Sequence, residues 1–108
     1  MATESGSTPN GSRHVHGWTF LSNHAHVLVC LSRDPDLTMR EVAQLVGITE
    51  RAVQNIVADL SRDGYLRIEH RGRNNHYVVN GQMPLRHPLE ADASTATLLA
   101  ALRDAAHP

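Results

Sequence analysis

The segment Thr38-Met39-Arg40-Glu41-Val42-Ala43-Gln44-Leu45-Val46-Gly47-Ile48-Thr49 holds two helix starts and one helix stop within twelve residues. Thr38 and Glu41 have capping-box spacing, in which the threonine oxygen and the glutamate carboxylate each accept from an otherwise free backbone N–H. Met39, Val42, Ala43 and Val46 then share one helical face. Gly47 stops the helix, because glycine takes positive φ without a Cβ penalty. Only Ile48 intervenes before Thr49 caps another helix, predicted to run to about Asp63 with Val53, Ile56, Val57 and Leu60 buried. This punctuation leaves room for little except two short helices packed across a tight turn.

The flanks complete the plan. Ser22 caps a preceding helix predicted to reach about Arg33, with Ala25, Leu28, Val29 and Ser32 as its stripe and Val27, Cys30 and Leu31 widening it. Asp34-Pro35-Asp36 ends that helix, since proline disfavours helix in the residue before it. After Gly64, Tyr65–Arg71 and His76–Asn80 read as strands joined by the turn Gly72-Arg73-Asn74-Asn75. The expected pairing sets Arg71 opposite His76, His70 opposite Tyr77 and Ile68 opposite Val79. Leu66, Ile68, Tyr77 and Val79 then face inward, and Arg67, Glu69, Arg71, His76 and Val78 outward. Pro84–Pro88 is a connector, and Asp92 or Ser94 starts a last helix with Leu98, Leu99, Leu102, Ala105 and Ala106. That helix is Ala-rich and narrow in its apolar stripe, so something must cover it.

The chain has 108 residues, enough for one domain, and only four aromatics: Trp18, Phe20, Tyr65 and Tyr77. Its core must come from Leu, Val, Ile and Ala, and a core that small is commonly supplemented by oligomerisation. No apolar run approaches the roughly 18 residues of a membrane span. The lone Cys30 excludes an intramolecular disulfide. The N-terminus has no basic-then-apolar signal pattern, so a cytoplasmic, nucleoid-associated location is expected, and the acceptor pattern Asn10-Gly11-Ser12 is fortuitous. Residues 1–12 are almost wholly Ser, Thr, Gly, Pro and Asn, too polar to offset the entropy of ordering.

Two helices across a glycine turn, followed by a basic hairpin, make the plan of a winged helix-turn-helix. The run from Met39 to Ile56, with Asp63-Gly64-Tyr65-Leu66 after it, resembles winged-helix transcriptional regulators of the ArsR and MarR types, and the likeness extends over about Leu21 to Asn80. The fold class expected is mainly α with a small β-hairpin (α+β). Residues 1–17 form a disordered tail, 18–83 the winged helix-turn-helix DNA-binding domain, and 84–108 a connector and C-terminal dimerisation helix. The resemblance implies regulation of a nearby promoter and a ligand cleft for a small-molecule effector, to which no residues are assigned.

The face of the third helix opposite its core carries Thr49, Glu50, Arg51, Gln54, Asn55 and Ala58. Arg51 suits guanine, and Gln54 or Asn55 suits adenine, through bidentate bonds in the major groove. Glu50 either accepts from cytosine N4 or serves the helix dipole. Thr49 and the free amides around it suit a phosphate, and Thr38 and Arg40 occupy the start of the helix before. Arg71, Arg73, Asn74, Asn75 and His76 bring donors to the hairpin tip, for the backbone or the minor groove. Three arginines and one acid between Arg67 and His76 give 3 − 1 = +2 locally, although the chain has ten basic residues, all arginine, against eleven acidic ones, for a net charge of −1.

One recognition helix and one wing touch few base pairs, so a homodimer on double-stranded operator DNA is expected, with Leu21, Leu28, Leu98, Leu99 and Leu102 at its interface. A different class of function, a winged helix serving as a protein-interaction or RNA-binding module, fits the near-zero net charge. His26 and Cys30 lie one helical turn apart, yet no four-ligand set accompanies them, so no metal or other cofactor is assigned. No nucleophile motif or phosphate-cradling glycine loop marks an enzyme.

Overall fold

Serine and threonine caps begin the first three helices. The computed structural model describes residues 17–106, and the expected tail up to residue 16 lies outside them. In chain order the elements are α1 (Asn23–Arg33), α2 (Met39–Val46), α3 (Glu50–Arg62), β1 (Leu66–Arg71), β2 (Asn74–Val79) and α4 (Thr95–Ala106). Ser22, Thr38 and Thr49 each accept from a backbone N–H of the first turn, and Thr38 and Glu41 form the full capping box. Gly47 ends α2 at φ +87°, in the left-handed region. The Ala43 carbonyl accepts from both Gly47 N (2.8 Å) and Ile48 N (3.1 Å), which fixes the turn into α3. Ser94 rather than Asp92 starts α4, its Oγ accepting from Thr97 N at 3.1 Å.

The core lies where α1, α2, α3 and the hairpin meet. Val27, Leu31, Val42 and Val53 are wholly buried, with Ile56, Val57, Leu60, Leu66 and Tyr77 around them. In α1 the buried residues are Val27, Leu28 and Leu31, while Ala25, Val29 and Ser32 are only half-buried. The stripe is therefore rotated from the one expected. Five consecutive apolar residues from Val27 to Leu31 gave periodicity nothing to choose between. The packing decides, because α1 lies against α2, α3 and β2 together.

The hairpin is also shifted. Leu66 pairs with Val79, Ile68 with Tyr77, Glu69 with His76 and Arg71 with Asn74. The turn is thus two residues long, Gly72-Arg73, and not the four expected. Gly72 takes φ +63° and Arg73 does not have positive φ, the pattern of a II′ hairpin turn. Asn74 and Asn75 consequently join β2. The slip is an even number of residues, so the faces survive and Leu66, Ile68, Tyr77 and Val79 still share the inner side. β2 is held on its outer edge as well, by Tyr77 N donating to Pro35 O at 2.9 Å.

Beyond β2 the connector doubles back as a closed loop. Leu85 N donates to Ala93 O (3.0 Å), and Thr95, itself buried, donates through N and Oγ1 to Met83 O (2.9 and 2.8 Å). Leu99 enters the core from α4. A charge ladder ties this region to the end of α3: His24–Asp59 (2.9 Å), Asp59–Arg62 (3.3 Å), Arg62–Asp63 (3.3 Å) and Asp63–Arg86 (2.9 Å). The hydrogen bond from His24 holds the Asp59 carboxyl below its ordinary range, and the Arg62 guanidinium does the same to Asp63.

Two outcomes follow for stability. Leu31→Ala leaves a cavity among α1, α2 and α3 and should cost about 2–5 kcal/mol in urea unfolding, whereas Thr38→Ala should cost about 1 kcal/mol through the lost cap. Asp59 and Asp63 have folded-state pKa values below their unfolded ones. Their contribution is complete above the unfolded value of about 3.9 and is lost as pH falls through the folded value. Acid titration of the unfolding midpoint should therefore drop below about pH 4, and less steeply in an Asp59→Asn/Asp63→Asn variant. Equal slopes in the two proteins would contradict the ladder's role.

Candidate nucleic-acid interface

With Val53, Ile56, Val57 and Leu60 held in the core, the other side of α3 is in solvent. Thr49, Glu50, Arg51, Gln54, Asn55 and Ala58 are all exposed, as the sequence indicates. Thr49 Oγ1 accepts from Ala52 N (3.0 Å) and Thr38 Oγ1 from Glu41 N (3.1 Å). Each hydroxyl keeps its O–H to donate outward. The two caps thus act inside the protein as acceptors and remain available to an anion as donors.

Arg40 and Arg51 each occupy the second position of their helix, α2 and α3. A cation there sits against the positive end of the helix dipole, a placement that costs roughly 0.3–1 kcal/mol unless an anion comes close. Glu41 and Glu50 supply acid in the same turns. For Glu50 this makes the dipole role concrete, and its exposure leaves the carboxylate free to accept from a base.

At the wing, Glu69 takes Arg67 at 2.8 Å and Arg71 at 3.2 Å. The hydrogen bonds from Arg67 and then Arg71 hold its carboxyl below the ordinary range. One carboxylate thus holds two arginines in place along the strands. Arg73 and Asn74 stand exposed at the tip. Asn75 and His76 are half-buried and have partners inside the protein. Asn75 Nδ2 donates to Tyr77 Oη at 3.3 Å, and His76 Nδ1 lies 2.7 Å from Asp36 Oδ1 with its side chain mostly covered. Within the protein His76 fastens the wing to the α1–α2 loop, while the Asn75 bond stays within β2.

The arginines sort by their partners. Arg62, Arg67, Arg71 and Arg86 are ion-paired, and Arg33 and Arg103 lie in the last turns of α1 and α4, where a cation suits the helix dipole. Among the described residues, the arginines that neither form an ion pair nor lie at a helix C-terminus are Arg40, Arg51 and Arg73. All three are exposed.

Sequence reasoning missed Asp36, which anchors His76, and the double engagement of Glu69. Asp36 is forty residues from its partner, beyond any local pattern. Glu69 was readable, since Arg67 and Arg71 flank it at the strand period on one face. Of the leucines expected at a dimer interface, Leu28 and Leu99 are buried in the chain's own core, and Leu21, Leu98 and Leu102 are half-buried. Cys30 is half-buried in α1, and burial pushes its thiol up from the usual range, with Arg33 opposing. Among the described residues no three His, Cys, Asp or Glu side chains group as a metal ion would require. None of the described helices is long and apolar enough to cross a membrane.

Residues 23–67 match the family model for winged helix-turn-helix DNA-binding domains. Among solved structures, the chain is similar to the PcaV transcriptional regulator of Streptomyces coelicolor in complex with its natural ligand: 27% identity and a TM-score of 0.49, over 56% of this chain and 45% of that one. It is also similar to the AntR antimony-specific transcriptional repressor, at 23% identity and a TM-score of 0.48, over 78% of this chain and 69% of that one. The chain thus spans less than half the length of the PcaV chain. No curated protein matches it. Three helices followed by an antiparallel two-stranded wing give the chain a winged helix-turn-helix fold, and residues 23–67 of it are similar to the winged helix-turn-helix DNA-binding family.

Proposed function

We propose that the protein is a transcriptional regulator that binds operator DNA as a homodimer, with α3 in the major groove and the wing on the backbone or in the adjacent minor groove. The observation that carries this reading is the sorting of the arginines. In a chain of net charge −1, Arg40, Arg51 and Arg73 have no ion pair among the described residues, while the arginines at the far end of α3 and along the strands are engaged with carboxylates. DNA supplies what those three lack, phosphates for Arg40 and Arg73 and a base edge for Arg51.

The roles divide by position. Arg51, with Gln54 and Asn55, reads base edges from the first half of α3, where a recognition helix enters the groove. Thr38, Arg40 and Thr49 hold phosphates at the helix starts, where free amides also point outward. Arg73 and Asn74 hold the backbone from the wing tip. His76 serves this set by fixing the wing's position through Asp36. Two-fold pairing doubles the site, as the small footprint of one domain requires.

The division predicts distinct mutant behaviour, read by fluorescence anisotropy on labelled duplexes over a salt series. Arg51→Ala should cost about 1–3 kcal/mol and relax preference at one base pair, while Arg73→Ala should weaken all sequences alike and lower the log–log salt slope by about 1. Glu69→Gln, which releases Arg67 and Arg71, should tighten binding to any sequence and steepen the slope. Uniform weakening by Arg51→Ala would overturn the assignment of base reading to α3. Salt-insensitive affinity would favour a protein-interaction module instead.

A further inference from the structure

The hairpin carries two histidines, and the fold treats them oppositely. His76, on the outer face of β2, has a side chain only 18% exposed, with Nδ1 2.7 Å from Asp36 Oδ1. His70, in β1, is exposed. Its cross-strand neighbour is Asn75. Directly opposite residues share a face, so His70 stands on the inner side with Ile68 and Tyr77, beyond them towards the tip. That side is turned to the start of α2. Asn75 Nδ2 donates to Tyr77 Oη (3.3 Å), and Tyr77 Oη donates to Sδ of Met39 (3.9 Å), the first residue of α2.

No carboxylate answers His70. Its neighbours in β1, Glu69 and Arg71, lie on the outer face, where Glu69 is bound by Arg67 and Arg71. Across from it β2 brings Asn75, with His76 on the other face. The start of α2 carries Arg40 and Glu41, and the Glu41 carboxylate accepts from Thr38 N at 2.9 Å. The other helix packed on β1 is α3. Of its acids, Glu50 is in the first turn, while Asp59 and the C-cap Asp63 are paired with His24, Arg62 and Arg86. Among the described residues no ion pair includes His70.

We infer that His70 is a DNA contact of the wing: its imidazolium meets a backbone phosphate on the side of the wing turned to α2 and α3, and binding takes up the proton that charges it. The inference rests on the DNA-binding reading and adds one residue and one proton to it. Position supplies the phosphate. With α3 in the major groove, the DNA strand that separates this groove from the wing runs along the wing's α2-facing side, so backbone and not base edges meets His70. Charge supplies the proton. Histidine has its ordinary titration range near pH 6.5. An imidazole that already has a carboxylate, as His76 has, gains little from a second anion. One with no counter-charge, next in the chain to Arg71 and close to Arg73, gains its partner only when DNA arrives. The charged form is favoured in the complex, so binding is tighter at low pH and the gain is lost as pH rises through the histidine range.

The test is fluorescence anisotropy of the full chain on one labelled duplex of mixed sequence, over a salt series at about pH 6 and about pH 8. The natural chain should bind roughly 3–10-fold tighter at the lower pH, with a log–log salt slope steeper by up to about 1, the effect of one further phosphate contact. His70→Gln, at an exposed position, should keep the native circular dichroism and lose both the tightening and the steeper slope. His70→Arg should hold the steeper slope at both pH values. A pH dependence that survives His70→Gln, or that vanishes only in His76→Gln, overturns the inference and leaves the DNA-binding reading standing. Equal affinity of the natural chain at both pH values does the same. No salt-dependent binding of the duplex at either pH overturns both.

Discussion

The direction in which α3 faces depends on the turn at Gly47. One carbonyl, that of Ala43, accepts from two successive amides, and this is possible only because Gly47 takes a left-handed conformation between them. With the turn fixed, Val53, Ile56, Val57 and Leu60 go under α1 and α2, and Arg51, Gln54 and Asn55 have nowhere to go but outward. The small Ala43 allows the two helices to approach, and wholly buried Val42 and Val53 fill the space on either side. The presented surface is thus a consequence of what the core takes in.

The second constraint is electrostatic. Net charge alone argues against a nucleic-acid partner, and it misleads because the charges are not equivalent. Asp59, Asp63 and Glu69 engage Arg62, Arg86, Arg67 and Arg71. These pairs are exposed, and each adds little to stability. Their larger effect is on what remains: positive charge is balanced at the far end of α3 and held in place along the strands, and is left without an ion pair at the two helix starts and the wing tip. Arg40 and Arg51 are even placed against their helix dipoles, so that any anionic or acceptor group brought to them relieves a repulsion as well as adding an attraction.

The sequence was most informative where structure is local. The capping box at Thr38 and Glu41, the stop at Gly47, the cap at Thr49 and the buried face of α3 follow from residues within one or two turns of one another, and all are present. The hairpin was readable in its faces but not in its register, because alternation has a period of two and is blind to a slip of two. In α1 the apolar run was too continuous to reveal which side packs. The partners of His76 and of Asp59 come from contacts between distant segments. Nothing local announces those.

The central claim is that the exposed face of α3 reads a DNA sequence. Selection of bound duplexes from a random library, at about 150 mM salt where non-specific attraction is screened, tests it most directly. The account predicts enrichment of an inverted repeat by the natural chain and its loss in an Arg51→Ala/Gln54→Ala variant that remains folded. Absence of enrichment above background with folded natural protein would contradict it.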